Sequence, residues 1–168
     1  GYGATGRCGA GVRAQWGLKM NCLLTKHSIE RFTNLSEELG NDIEFKQGGY
    51  LILVEKEAQW EQMRKNVTLQ NSLGIPSRIV DVKEACEIVP YLNPALILGA
   101  VFCPIDGHAN PLLTVWAYQN WLLNAGIKIE TFTEVVEIKY ENGEILGVET
   151  DKGEFISSPI VVNAAGGW

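Results

Sequence analysis

Gly1, Gly3, Gly6, Gly9, Gly11 and Gly17 interleave with Arg7 and Arg13 at the start of the chain, a composition that favours close approach of the backbone over packing. Amide N–H groups in such a loop lack secondary-structure partners and donate to phosphate oxygens. The two guanidiniums would add charge-assisted bonds to a pyrophosphate. A surface loop with two solvated arginines has the same composition, and composition leaves both readings open. At the far end, Val161-Val162-Asn163-Ala164-Ala165-Gly166-Gly167 is an apolar strand running into small residues. It suits a backbone passing beside a bulky planar ligand, or equally a tight strand-to-loop turn.

Other chemistries find little support. The histidines are His27 and His108, and nothing near either in sequence resembles an activated nucleophile, so no Ser/His/Asp or Cys/His set assembles. His27 is read as a structural helix residue, and His108, beside Gly107, as a turn contact that lines a pocket at most. Cys8, Cys22, Cys86 and Cys103 lie far apart without a CxxC pair, which points away from zinc and from a disulfide framework and toward buried free thiols in a reducing cytoplasm. No metal site is expected. The net charge of −6 and a pI near 5.0, with no Lys/Arg cluster, exclude a nucleic-acid partner, whose phosphates need clustered cations. The longest apolar runs fall short of the ~20 residues of a membrane helix, so no membrane span is expected.

The elements that must position the glycine loops follow from periodicity and punctuation. Met20, Leu24, Phe32, Leu35 and Leu39 recur at helical intervals and predict an amphipathic helix over 18–39, with Gly40 as its cap. Tyr50 to Val54 is a continuous apolar run that predicts a buried strand, and Trp60, Met63 and Val67 mark a second amphipathic helix over 56–73. Arg78 to Val80 reads as a short strand, Asp81 as the cap of a short helix stopped by Pro90, and 96–103 as another strand. Asn110 and Pro111 open a helix running to Ala125, apolar nearly all round and therefore expected to be largely buried. Beyond it, 127–132 reads as a strand, 135–141 and 144–150 as a hairpin about Asn142-Gly143, then Phe155-Ile156 and a last apolar strand at 160–162.

At 46% hydrophobic and 20% charged, 168 residues make one globular domain or two unequal parts of a larger one. The chain opens without Met and closes on a strand aimed into a glycine turn, so both ends are expected to continue in a longer polypeptide.

The segment from Gly3 to Gly17, with Thr5-Gly6-Arg7-Cys8-Gly9-Ala10-Gly11-Val12-Arg13 at its centre, resembles the stretch after the second strand of the FAD-binding unit in the D-amino-acid oxidase superfamily. Gln47-Gly48-Gly49-Tyr50-Leu51, Glu87-Ile88-Val89-Pro90, 99–104, Asp106-Gly107-His108-Ala109-Asn110-Pro111 and the close at 161–168 follow in the order seen in its branch of sarcosine oxidase β-subunits, glycine oxidases and proline dehydrogenases. Each motif alone is weak; the ordered set is specific and spans essentially the whole chain.

The resemblance implies an α/β fold, or mixed α+β, of the glutathione-reductase-like FAD/NAD(P)-binding kind, with a substrate domain built on a mixed sheet. It divides the chain into a flavin-contacting loop and helix (1–40), the first part of the substrate domain (41–110), and a helix, β-meander and last strand of the FAD domain (111–168). The implied cofactor is FAD. Gly6, Arg7, Gly11, Val12 and Arg13 would lie along its pyrophosphate and beside the flavin ring, Val135 would offer its backbone to the adenine, and Ala165, Gly166, Gly167 and Trp168 would form the turn close to the cofactor. The implied activity is oxidation of the C–N bond of sarcosine, glycine, proline or a similar amino acid or secondary amine, by hydride transfer to FAD. No catalytic side chain is assigned, because the cofactor supplies the reactivity. The family's GxGxxG turn and the acidic residue about 20 positions on are absent from this sequence. That absence keeps a second possibility in view, a non-catalytic fragment or subunit domain that needs a partner chain to complete the flavin site.

Overall fold

The computed structural model describes residues 1 and 3–167 and divides between Trp121 and Leu122 into two compact units. In the first, a 3-10 turn (Thr5–Arg7) leads to a two-residue strand, β1 (Gly11–Val12), and then to the long helix α1 (Lys19–Leu39). Helix α1 closes on Gly40, whose N–H reaches back to the carbonyl of Glu37, while Cys22, Ile29, Leu35 and Leu39 form its buried stripe. Next come β2 (Tyr50–Val54), α2 (Glu57–Ser72), β3 (Arg78–Val80) and α3 (Val82–Ile88), then β4 (Gly99–Cys103) and β5 (Gly107–His108). Asp81 caps α3, its Oδ1 accepting the Glu84 N–H at 2.8 Å.

Strand β4 lies between β2 and β3 and runs antiparallel to both. The sheet is therefore not of mixed pairing as expected: β2 and β3 run parallel to one another, but β4 separates them, and every described ladder is antiparallel. Three clusters fill this unit. Ala14, Cys22, Ile29, Ile75 and Cys103 pack together; Leu35, Leu39, Ile43, Ala109 and Ala117 form a second group; Val80, Ala85, Ile97 and Ala100 sit against the sheet.

Helix α4 (Pro111–Asn124) begins as the sequence predicts, with Asn110 Oδ1 accepting the N–H groups of Leu112 and Leu113 at 3.1 and 3.2 Å. Its burial corrects the expectation. Only Ala117 is buried, against Leu35, Leu39 and Ile43, while Leu112, Trp116, Trp121 and Leu123 are exposed, Trp116 to 54%. Ala117 is the smallest side chain of the helix and allows the close approach of that cluster.

In the second unit β6 (Val135–Glu141), β7 (Glu144–Thr150) and β8 (Phe155–Ser157) form an antiparallel meander. Asn142 and Gly143 both take positive φ, +52° and +84°, as a tight primed turn requires. Two expected strands are absent. Over 127–132 no ladder forms, and Phe132, 98% exposed, turns to φ +52°, which interrupts any extended run. The 160–162 stretch likewise has no pairing partner among the described residues, and without one an apolar run stays irregular.

Candidate functional site

The glycine loop builds a cleft of about 560 Å³ in the first unit, lined by Gly9, Gly11, Val12, Arg13, Trp16 and Tyr50, with Cys8 and α1 residues completing it. Strand β1 pairs with β5, Gly11 opposite His108 and Val12 opposite Gly107, and this fixes the loop where it enters the wall. Tyr50, at the first position of β2, lays its ring against Gly11; a Cβ there would stand 3.2 Å from the ring, so glycine is what lets tyrosine reach the loop. The Arg13 guanidinium lies 4.5 Å from the Trp16 ring centroid and 5.7 Å from that of Tyr50. Two aromatic faces attract the cation and hold its plane, leaving its N–H edge for an anionic or carbonyl acceptor.

Behind this wall lies a buried polar group that no local sequence signal marks. Asp106 is fully buried; its Oδ1 accepts the Ala14 N–H at 2.8 Å and its Oδ2 accepts Gln15 Nε2 at 3.1 Å. The same Gln15 Nε2 donates to the Tyr50 carbonyl at 2.8 Å. Burial raises the Asp106 carboxyl above the usual carboxylate range, opposed by the Ala14 amide, Gln15, the Cys103 thiol and the charge of Arg13. With the folded-state pKa above the unfolded value of about 3.9, the native state holds the proton more tightly. This group's contribution to stability then falls as pH rises from the unfolded value to the folded one. Asp106→Asn is expected to flatten the stability profile across that interval, measured as urea midpoints between acid and neutral pH; an unchanged slope would exclude Asp106 as its source.

Cys103 sits beside this carboxylate. Burial first, and the Asp106 charge second, push its thiol up to about 11. Cys22 is also buried, Cys86 is half-buried, and Cys8 is exposed on the cleft wall, which corrects the expectation that all four thiols are buried. The thiolate is the reactive form, and at pH 8 roughly a thousandth of a thiol titrating near 11 is ionised. Cys8 is therefore expected to react first with a disulfide reagent, Cys22 and Cys103 only on unfolding; early labelling of Cys103 in a peptide map would contradict this.

The other predicted residues distribute as follows. Gly6 lines a separate cleft of about 370 Å³, with Ala10, Glu44, Lys46, His108 and Asn110 near it. Arg7, on the exposed 3-10 turn, lines neither cleft. His108 belongs to β5 and His27 is a surface residue whose Nδ1 meets Glu30 at 3.0 Å. In the second unit Val135 and Ala165 share a cleft of about 570 Å³, walled by Glu134, by residues 135–138 of β6 and by 161–165. Asn163 Oδ1 accepts the Ala165 N–H at 3.0 Å and shapes that turn; Gly166 and Gly167 follow outside the lining. Trp168 lies outside the described residues. Sequence reasoning missed Trp16, which meets Arg13 three positions away, and Tyr50, Gln15 and Asp106, whose roles come from contacts across 35 to 92 positions of chain.

All 168 residues match the protein family described as FAD dependent oxidoreductase. The chain belongs to that family. Sarcosine oxidase subunit beta of Rhodobacter capsulatus is 25% identical over 170 residues, covering 99% of this chain and 41% of that protein. Among solved structures, L-proline dehydrogenase from P. horikoshii superposes with a TM-score of 0.91 at 38% identity, over 98% of this chain and 43% of that one. Glycine oxidase from Geobacillus kaustophilus does so with a TM-score of 0.82 at 26% identity, over 94% and 44%. The chain thus spans less than half the length of these relatives. Their fold is the mixed α/β arrangement of FAD-binding oxidases, as the sequence led us to expect.

The residues present in this member of the flavoprotein family fit such a cofactor. Each unit offers a cleft within the range of about 300–1,000 Å³ typical of ligand sites, and one carries a guanidinium held between aromatic faces. No group of His, Cys, Asp and Glu among the described residues is arranged to hold a metal ion, and none of the described helices is long and apolar enough to cross a membrane.

Proposed function

We propose that this chain is part of a flavin-dependent enzyme that oxidises the C–N bond of an amino acid or secondary amine such as sarcosine, glycine or proline. What carries the reading is the family match along the whole chain together with the cleft that holds Arg13 between Trp16 and Tyr50. FAD, when bound, supplies the acceptor for the hydride that leaves the substrate α-carbon. The chain's own part is placement and electrostatics. Gly6, Arg7, Gly11, Val12 and Arg13 would meet the pyrophosphate and the edge of the ring, with Arg13 toward the substrate side, and the exposed glycine amides would donate to phosphate oxygens. Val135 would offer its backbone to the adenine, and Ala165, Gly166 and Gly167 would form the turn close to the cofactor. The wall of Trp16 and Tyr50 would keep water from one side of the reacting carbon.

The test is spectroscopic. The longer protein that contains this chain, purified with FAD, is expected to be yellow and to bleach without oxygen when proline, sarcosine or glycine is added. A colourless protein that takes up no flavin on titration would sink the proposal.

A second reading draws on α4, whose apolar side chains stand exposed in the described chain. It treats these 168 residues as a domain that completes its flavin site only with further polypeptide or a partner subunit. Flavin titration alongside size-exclusion chromatography of the 168-residue chain separates the two, since a monomer that retains FAD contradicts it.

A further inference from the structure

We propose that Asp106 is the positioning residue of the Arg13–Trp16 wall, a buried carboxylate that fixes the guanidinium and the indole from behind without touching what binds in the cleft. The inference rests on the reading of that cleft as part of the flavin site.

Residues 13–16 alternate between two duties. Arg13 and Trp16 face the cleft, while Ala14 and Gln15, at 0% and 4% exposure, point into the protein. Both inward residues end on Asp106, Ala14 through its N–H at 2.8 Å and Gln15 through Nε2 at 3.1 Å. Gln15 Nε2 also donates to the carbonyl of Tyr50, the other aromatic beside Arg13, and the Asp106 carbonyl accepts the Gly49 N–H at 2.9 Å. One acid therefore ties together the segments that carry the three side chains of the wall. The far end is pinned separately, where the Trp16 carbonyl accepts buried Gln70 Nε2 at 2.9 Å and the Cys22 thiol at 3.3 Å.

The chemistry of the group explains the choice. An ionised carboxylate is acceptor-only at both oxygens and receives the backbone and side-chain donors together, whereas an amide of the same shape offers one acceptor and turns a donor toward Gln15. A buried charge is expensive, and an apolar residue at this position would pack at lower cost. Positioning accounts for its place here, because no apolar side chain can orient two N–H groups at once.

The experiment compares Asp106→Asn, Arg13→Ala and the double variant in the longer FAD-binding protein, reading FAD affinity by flavin fluorescence and hydrogen exchange by peptide. Asp106→Asn is expected to weaken FAD at least fivefold, to add nothing in the Arg13→Ala background, and to speed exchange at 13–17 and 49–51 while α1 and α3 keep their protection. Additive losses, an unchanged affinity or a uniform rise in exchange would overturn the proposal, the last marking Asp106 as a general stability residue. If Arg13→Ala leaves FAD binding untouched, the reading of the cleft fails. Exchange then judges Asp106 alone: a local rise supports its hold on the wall, and its absence refutes it. Should Asp106→Asn fail to fold, Gln15→Met removes one donor while keeping the acid, and the same local rise at 13–17 is expected, its absence again counting against the proposal.

Discussion

Gly107→Ala is expected to destabilise the first unit by about 2–4 kcal/mol, the scale of overpacking a filled site, which for a chain of this length lowers the midpoint by roughly 5–15 °C. A Cβ at 107 would stand 2.1 Å from the Lys46 carbonyl oxygen, 2.9 Å from its carbon and 3.0 Å from Gln47 Cα. All three are backbone atoms, so no rotamer change relieves the overlap and the two segments must part. Parting them breaks the reciprocal bonds between Lys46 and His108, at 2.9 and 3.0 Å, and the pairing of Val12 with Gly107. That pairing anchors the glycine loop. Gly126→Ala makes the comparison, because nothing lies within 4 Å of the added Cβ and only the cost of its positive φ remains, about 1 kcal/mol. Urea denaturation of both variants reads the difference; equal midpoints would show that the loop yields without strain.

The same region shows what was legible in the sequence. Helices α1 to α4 and the hairpin at Asn142-Gly143 stand where periodicity, caps and turn chemistry put them, because those signals act within a few residues of each other. Asp106 gave no such signal. Before Gly107 it looks like an ordinary turn acid, and its purpose appears only when Ala14 and Gln15, more than 90 positions earlier, arrive beside it. The runs 127–132 and 160–162 were apolar enough to be strands, but a strand is completed by its neighbour, and none of the described residues pairs with them. Helix α4 was misjudged for a related reason. Its apolar circumference signals burial on every side, whereas among the described residues only Ala117 is buried; periodicity reports which side chains are apolar and not what packs on them. The family resemblance brought Arg13, Gly11 and Val135 into view, and the structure adds why Arg13 keeps its orientation: the Trp16 ring three positions on and the Tyr50 ring from β2 both attract its guanidinium.

Gly147→Ala is expected to melt one edge of the meander while leaving the first unit intact, a loss again of about 2–4 kcal/mol but confined to 122–168. Gly147 lies on the central strand β7, opposite Lys139 on β6 and Ser157 on β8, next to an irregularity in the β6–β7 register. Its φ is +153°, and a Cβ would fall 2.1 Å from the Ile156 carbonyl oxygen and 2.9 Å from its carbon. The added methyl group can be housed only if β8 moves away, and with it the bond from Ser158 N to the Leu146 carbonyl at 3.0 Å. Little opposes that movement, because most side chains of β6 to β8 are exposed, and the buried positions there are Gly147 itself and Thr150. The Asn142-Gly143 turn acts locally and should keep β6 paired to the first half of β7. Hydrogen exchange is therefore expected to accelerate across 146–158, with 135–145 partly protected and α1 unchanged. A protected β8 in the variant would mean that the strand can shift without unpairing, and a simultaneous rise in α1 would mean that the two units unfold as one.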